Sequence, residues 1–377
     1  MKLDETYELY RSTCRRFAQE KIAPHVQAWE EAEEFPRELY QEAAAAGILG
    51  VGFPEELGGG GGDFLYGLIG VEELLRGGSS GIVAGLGSLG IALPPVMKMG
   101  SPEQQKRFVP PVLRGEKIAA LAITEPGTGS DVAGIRTRAV RDGKDYVLSG
   151  SKMFITSGVR ADTVTVLART SEDKHQGTTF FVVEKGMPGF SVSRALKKTG
   201  WCASDTAELA FDEVRVPEAN RLGEEGSGFA TLMQNFQNER LALAFYGHGT
   251  AQIAYEDALA YSKERQAFGR PLAGFQVTRH KLAHMATLVT AATALNYSVA
   301  KRVVHDGEYL VGEVSMAKNF AADVAQKVCY EAVQIFGGMG FMRETRVERL
   351  SRDARLLPIG GGTTEIMNEI IAKSIGL

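Results

Sequence analysis

Glu239 is the residue whose placement most invites chemistry. Leu232, Phe236, Glu239 and Leu243 are spaced four, three and four apart, which sets a carboxylate among three large apolar side chains on one helical stripe. The spacing supports two readings. In the plainer one, Glu239 and Arg240 are a surface pair at the stripe's margin. In the other, Glu239 is a partly desolvated carboxylate with a raised pKa, as a general base acting on a weak carbon acid requires.

A second constellation is Leu-Ala-Ile-Thr-Glu-Pro-Gly-Thr-Gly-Ser-Asp at 121–131. It starts as a strand and breaks at Glu125-Pro126-Gly127. Gly127 and Gly129 let backbone approach a ligand closely, and Thr124, Ser130 and Asp131 bring hydrogen-bonding groups. Such a loop suits a large polar cofactor lying across a sheet edge, although alone it reads as a tight turn. Within 150–156, Phe154 is placed to stack near an aromatic group and Thr156 to hydrogen-bond it. Without context these are a core phenylalanine and a solvated threonine.

Three other patterns carry no chemistry. Gly77-Gly78-Ser79-Ser80-Gly81 has the form of a hydrolase nucleophile elbow but lacks a preceding strand. The run 85–90 has dinucleotide-fingerprint spacing without the βαβ setting. His280 and His284 lie at metal-ligand spacing with no third ligand, so no metal site is expected.

The elements that must position these residues change period twice. Tyr7, Tyr10, Cys14 and Phe17 mark a helix ending near Pro24, and Phe35-Pro36 opens another that stops at Gly47. Asp63 caps a third. From Ile118 the period becomes two. Strands are predicted at 163–168, 178–183, 190–193 and 206–211, with a hairpin at Asp142-Gly143, in an antiparallel barrel or sandwich. After Phe229 the helical period returns. The fold class is therefore α+β, with a helical domain at 1–117, a β-domain at 118–222 and a helical domain at 223–377.

With 42 basic against 46 acidic residues, no global field draws the chain to nucleic acid or anionic membrane. Cys14, Cys202 and Cys329 are few and scattered, which argues for a reducing compartment; with no signal-peptide core, a cytoplasmic location is expected. The uncharged stretch between Arg76 and Lys98 is too rich in glycine for a membrane span and reads as buried helix.

Six ordered motifs, at 124–131, 150–158, 198–206, 265–271, 334–341 and 352–365, resemble the acyl-CoA dehydrogenases over essentially the whole chain. The resemblance implies a helical N-terminal domain, an antiparallel β-barrel and a C-terminal four-helix bundle. It further implies a homotetramer, arranged as a dimer of dimers, that shares FAD sites between subunits and serves fatty acid β-oxidation. Leu121, Ile123, Thr124, Phe154 and Thr156 would surround the isoalloxazine, with Thr156 near N5. Gly129 and Ser130 would lie at the pyrophosphate. Phe154 stands where many relatives have tryptophan. Arg265, Phe268, Gln276, Gln334 and Gly338 would come from a neighbouring subunit to the diphosphate and adenosine, and Thr363 and Glu365 from the last helix.

Many family members carry their catalytic glutamate where this chain has Gly361. Long-chain and isovaleryl-type members place it on the helix instead, and Gln-Asn-Glu-Arg-Leu at 237–241 resembles that site, so resemblance and stripe both select Glu239. Glu239 would then remove the α-proton of an acyl-CoA, and the Gly361 N–H would bind the thioester carbonyl. Phe236, Arg240, Gly360 and Ser130 would line the substrate. Room at 360–362 would admit medium, long or branched chains. Electrons would pass to an electron transfer flavoprotein. An acyl-CoA oxidase, a flavin monooxygenase of the same fold and a non-catalytic acyl-CoA binder remain as alternatives.

Overall fold

Asp4 opens the first helix. Its carboxylate accepts the Tyr7 N–H at 3.2 Å, and the acidic first turn and basic last turn of Glu5–Phe17 both suit the helix dipole. The computed structural model describes residues 3–377. The helix continues through one π-helical stretch, Ala18–Ile22, before Pro24. A helix at Val26–Ala32 was not predicted. It is only seven residues long and its buried positions are Val26 and Glu30, so a charged side chain occupies half of what would have been an apolar stripe. Glu38–Ala45 follows Pro36, and Phe64–Leu74 is capped by Asp63, which accepts the Leu65 N–H at 2.9 Å.

The uncharged stretch forms short buried helices, Ser80–Leu86, Leu89–Ala92 and Pro94–Met99. Among the described residues, no single helix is long and apolar enough to cross a membrane. Ser80–Leu86 and Leu89–Met99 meet the length and composition only as a pair bent by 46°.

The β-domain contains β1 (Ala119–Ala122), β2 (Arg138–Asp142), β3 (Asp145–Thr156), β4 (Thr163–Arg169), β5 (Thr178–Glu184), β6 (Phe190–Ala195), β7 (Thr206–Val216) and β8 (Arg221–Leu222). They pair in the order β6-β7-β3-β2-β4-β5-β8. Asp142 pairs with Asp145 across the expected hairpin, where Gly143 takes a φ of 65°. The sheet is not wholly antiparallel, however: β1 enters from the helical domain and pairs with β4 in parallel. That pairing spans a long crossover, which local sequence pattern does not encode. β4 and β5 are buried on both faces. Val164, Val166, Phe181 and Val183 fill the barrel's own core, while Leu167, Phe180 and Val182 join the core shared with the helices. The barrel is thereby fixed against the helices that carry the remaining site residues.

The C-terminal region is built on Gly228–Glu264, hereafter the long helix, with Gln276–His305 and Val311–Phe336 as the second and third bundle helices and Thr364–Ser374 as the last. The long and third helices run parallel. Gln237 accepts the Leu310 N–H near their starts, and Tyr261 stacks on Phe336 near their ends, with ring centroids 4.1 Å apart. Midway, a Cβ on Gly247 would sit 2.8 Å from the Ala321 carbonyl, so only glycine permits this approach.

Candidate active site

The stripe predicted on the long helix is present, and Glu239 lies within it. The carboxylate is partly accessible, yet enclosed by enough protein that burial pushes its pKa up to about 7, against the opposing pull of Arg240. Glu239 makes no hydrogen bond or ion pair with the described residues, so the surface pair with Arg240 does not form. Arg240 is buried instead. Its guanidinium lies 5.1 Å over the Phe236 ring, and its Nε donates to the Gly361 carbonyl at 3.3 Å.

The loop at 360–362 therefore lies against the long helix. Gly361 has a φ of 66°, and a Cβ there would collide with Leu243 Cδ1. Leu243 is one turn beyond Glu239 on the same face, so Gly361 approaches the helix beside that carboxylate. This corrects the expectation of open room along 360–362. At Gly361 the space is filled by Leu243, and at Gly362 by Met367. Only at Gly360 would an added Cβ meet ordinary contacts, 3.6 Å from Leu356. Lys318, buried on the third helix, donates to the Gly362 carbonyl at 2.5 Å. Thr363 caps the last helix by accepting the Ile366 N–H at 3.3 Å, which leaves Glu365 exposed in its first turn.

Opposite these helices, β1 runs into the glycine loop and β3 passes beside it. The Met153 N–H donates to the Thr124 carbonyl at 2.8 Å. Beneath them, Lys152 is fully buried and donates to the Ile123 carbonyl at 2.8 Å and to Glu125 at 2.9 Å. Glu125 also accepts the Arg136 and Thr137 N–H groups. One buried ion pair thus ties both strands to the loop.

Phe154 takes a left-handed φ of 62° where the β3–β7 register slips, and its side chain is 63% exposed. A bulky residue held in that conformation is strained, and it presents a large ring to open space. Leu121, Ile123, Thr124 and Thr156 are partly exposed around it, and Gly129 and Ser130 are exposed at the loop tip. The hydroxyls of Thr124, Ser130 and Thr156 have no partner among the described residues. An aromatic face bordered by free hydroxyls and an open glycine loop fits an aromatic cofactor with a polar tail. Leu121, Ile123, Phe236 and Leu243 all pack against the apolar core that the barrel shares with the helices.

The remaining predicted cofactor residues lie elsewhere. Arg265 ends the long helix 26 positions after Glu239, about 39 Å away at 1.5 Å per residue. Around it is a surface hollow of about 580 Å³ lined by Tyr261, Arg265, Phe336, Gly338 and Met342. Phe268, 96% exposed, and Gln276 and Gln334, also exposed, lie on segments adjoining the same helix ends. Within one chain, Arg265 and Glu239 thus lie well apart along the same long helix.

The decoys resolve as structural features. Ser79 caps Ser80–Leu86 and donates to Glu30 at 2.6 Å. His280 and His284 are exposed on their helix, and no three His, Cys, Asp or Glu side chains among the described residues are arranged to hold a metal. Sequence reasoning did not find Lys152 or Lys318. Lys318 did carry a signal, because Val314, Lys318 and Ala321 share a helical stripe.

Residues 4–116, 120–214 and 226–376 match, in turn, the N-terminal, middle and C-terminal domains of acyl-CoA dehydrogenases. The chain is 41% identical over 373 residues to the mitochondrial long-chain specific acyl-CoA dehydrogenase of Sus scrofa, covering 98% of this chain and 86% of the relative. Among solved structures, it is 50% identical to a probable acyl-CoA dehydrogenase from Mycobacterium abscessus, with a TM-score of 0.97 and 99% of both chains covered. A glutaryl-CoA dehydrogenase from Mycobacterium smegmatis in complex with FADH2 is 29% identical, with a TM-score of 0.93 over 99% of this chain and 95% of the other.

Proposed function

Since the chain belongs to the acyl-CoA dehydrogenase family, we propose that it converts an acyl-CoA thioester to the trans-2-enoyl-CoA with Glu239 as base. The observation that carries this reading is the state of Glu239. It is an unpaired carboxylate with a pKa raised to about 7, on the helix face that Gly361 approaches. A base titrating near neutral pH is ionised often enough to act and basic enough to accept a proton from carbon.

The cofactor is FAD, which when bound supplies the acceptor for the β-hydride. Leu121, Ile123, Thr124, Phe154 and Thr156 hold its ring system, Gly129 and Ser130 meet the pyrophosphate, and Thr363 and Glu365 approach from the last helix. Arg265, Phe268, Gln276, Gln334 and Gly338 serve the FAD of a second copy, in a homotetramer. The long separation of Arg265 from Glu239 along one helix supports that division.

At the reacting end, Glu239 takes the α-proton while the Gly361 N–H donates to the thioester carbonyl, where negative charge develops. Phe236 and Arg240 wall the slot, Ser130 contacts the substrate from the sheet side, and the acyl chain is of the medium, long or branched class. The electrons then leave to an electron transfer flavoprotein. Anaerobic titration of the FAD-loaded enzyme with octanoyl-, palmitoyl- and isovaleryl-CoA tests the reading. Bleaching of the flavin by at least one supports it, and a chromophore unchanged by all three overturns it.

A further inference from the structure

Two buried cations face the loop at 360–362, and neither has a salt-bridge partner among the described residues. Lys318 is 1% exposed and Arg240 8% exposed. Among the described residues, the only hydrogen bond of Lys318 goes to the Gly362 carbonyl, and the only one of Arg240 to the Gly361 carbonyl. An ammonium group has three donors, so Lys318 is poorly compensated for its burial, and the two like charges oppose each other across one short loop.

The charged groups around Lys318 are Arg240, from the long helix, and Glu365, from the exposed first turn of the last helix. Tyr309, which precedes the third helix, bears on Arg240, as does Glu239. Burial and Arg240 together push the Lys318 pKa down to about 8, with Glu365 opposing. Positive charge without a salt-bridge partner among the described residues is thus built into the site, and that of Arg240 sits beside the carboxylate that is to accept a proton.

We propose that Lys318 is a positioning residue that, together with Arg240, clamps the carbonyls of Gly361 and Gly362 and so tunes the site for an enolate-like anion. The inference rests on the assignment of Glu239 as base and adds the group that favours the charge left on the substrate. Residues 360–362 are three glycines, with φ of 66° at Gly361 and 104° at Gly362, a backbone with more freedom than any other sequence would have. Fixing the Gly361 and Gly362 carbonyls fixes the two peptide planes that carry the Gly362 and Thr363 N–H groups, directly after the Gly361 N–H, because each carbonyl and the following N–H are held in one plane. The loop is then preorganised before substrate arrives, and its two cations lower the energy of negative charge on the thioester.

The test compares two ligands on the FAD-loaded enzyme: acetoacetyl-CoA, which ionises to an enolate in water without any base from the protein, and S-butyl-CoA, a thioether with no carbonyl. K318M is expected to weaken acetoacetyl-CoA binding at least tenfold while changing S-butyl-CoA binding less than threefold, and K318R is expected to restore most of the loss. Equal weakening of both ligands, or no change in either, overturns the proposal. A second readout is kcat/KM against pH with octanoyl-CoA. The wild type should lose activity as pH rises through about 8, while K318R, charged at every accessible pH, should carry that limb to higher pH. If K318M fails to fold, the K318R profile decides, and an unmoved limb overturns the proposal. An E239Q enzyme that still turned over would defeat the base assignment alone, since the comparison of the two ligands does not depend on that carboxylate.

Discussion

Replacing Glu239 by glutamine should stabilise the protein, by an amount that depends on pH. In the unfolded chain the carboxyl titrates near 4.5, and in the folded protein near 7. Between those values the folded state holds a proton that the unfolded state has released, so wild-type stability falls as pH rises through this window and then levels. At about 1.4 kcal/mol per pKa unit the ceiling is roughly 3 kcal/mol, and access of water to the half-buried carboxylate reduces it to about 2 kcal/mol. Glutamine is neutral throughout and escapes the penalty. The assay is the thermal midpoint of FAD-loaded wild type and E239Q from pH 5 to pH 8. The two should nearly coincide at pH 5, and E239Q should lie roughly 2–5 °C higher at pH 8. A difference that does not grow with pH, or one in which E239Q is less stable at pH 8, would refute the claim that this carboxylate is desolvated and unpaired.

Other expectations follow from the same geometry. As Glu239 must be ionised to act, kcat/KM should rise as pH rises through about 7, and a profile flat from pH 6 to pH 8 would contradict this. Gly361→Ala should cost about 2–4 kcal/mol through its left-handed backbone and the collision with Leu243. L243A/G361A should be less destabilised than the sum of the single changes by about 1 kcal/mol, as read by denaturant melts. K152M strands Glu125 in the core and loosens the backbone at Ile123; a loss of about 3 kcal/mol, with weaker FAD retention on dialysis, is expected. Arg265→Ala should weaken FAD retention while leaving the fold's melting in the absence of FAD within about 0.5 kcal/mol, because Arg265 is exposed at a helix end.

Local periodicity carried much of this architecture. The Glu239 stripe was legible because three apolar neighbours recur at helical spacing, and the Asp63 cap because its chemistry is confined to one turn. Val26–Ala32 was not legible, because Glu30 is buried in hydrogen bonds to Ser79 and to Ala203 of the barrel, partners far away in sequence. The parallel β1–β4 pair and the seating of Leu243 against Gly361 are likewise long-range contacts with no local pattern. Lys152 and Lys318 escaped notice for another reason. A lysine is read as solvated by default, and the partners of these two, the Ile123 carbonyl and Glu125 for Lys152 and the Gly362 carbonyl for Lys318, are brought to them only by the folded chain.

The central claim, that Glu239 is the base, is tested most directly by anaerobic stopped-flow reduction of the bound flavin. The acyl-CoA used should be the one that bleaches the wild type fastest. E239Q should bind FAD and the thioester as the wild type does yet bleach at least a thousandfold more slowly. Bleaching at the wild-type rate in E239Q would contradict the account.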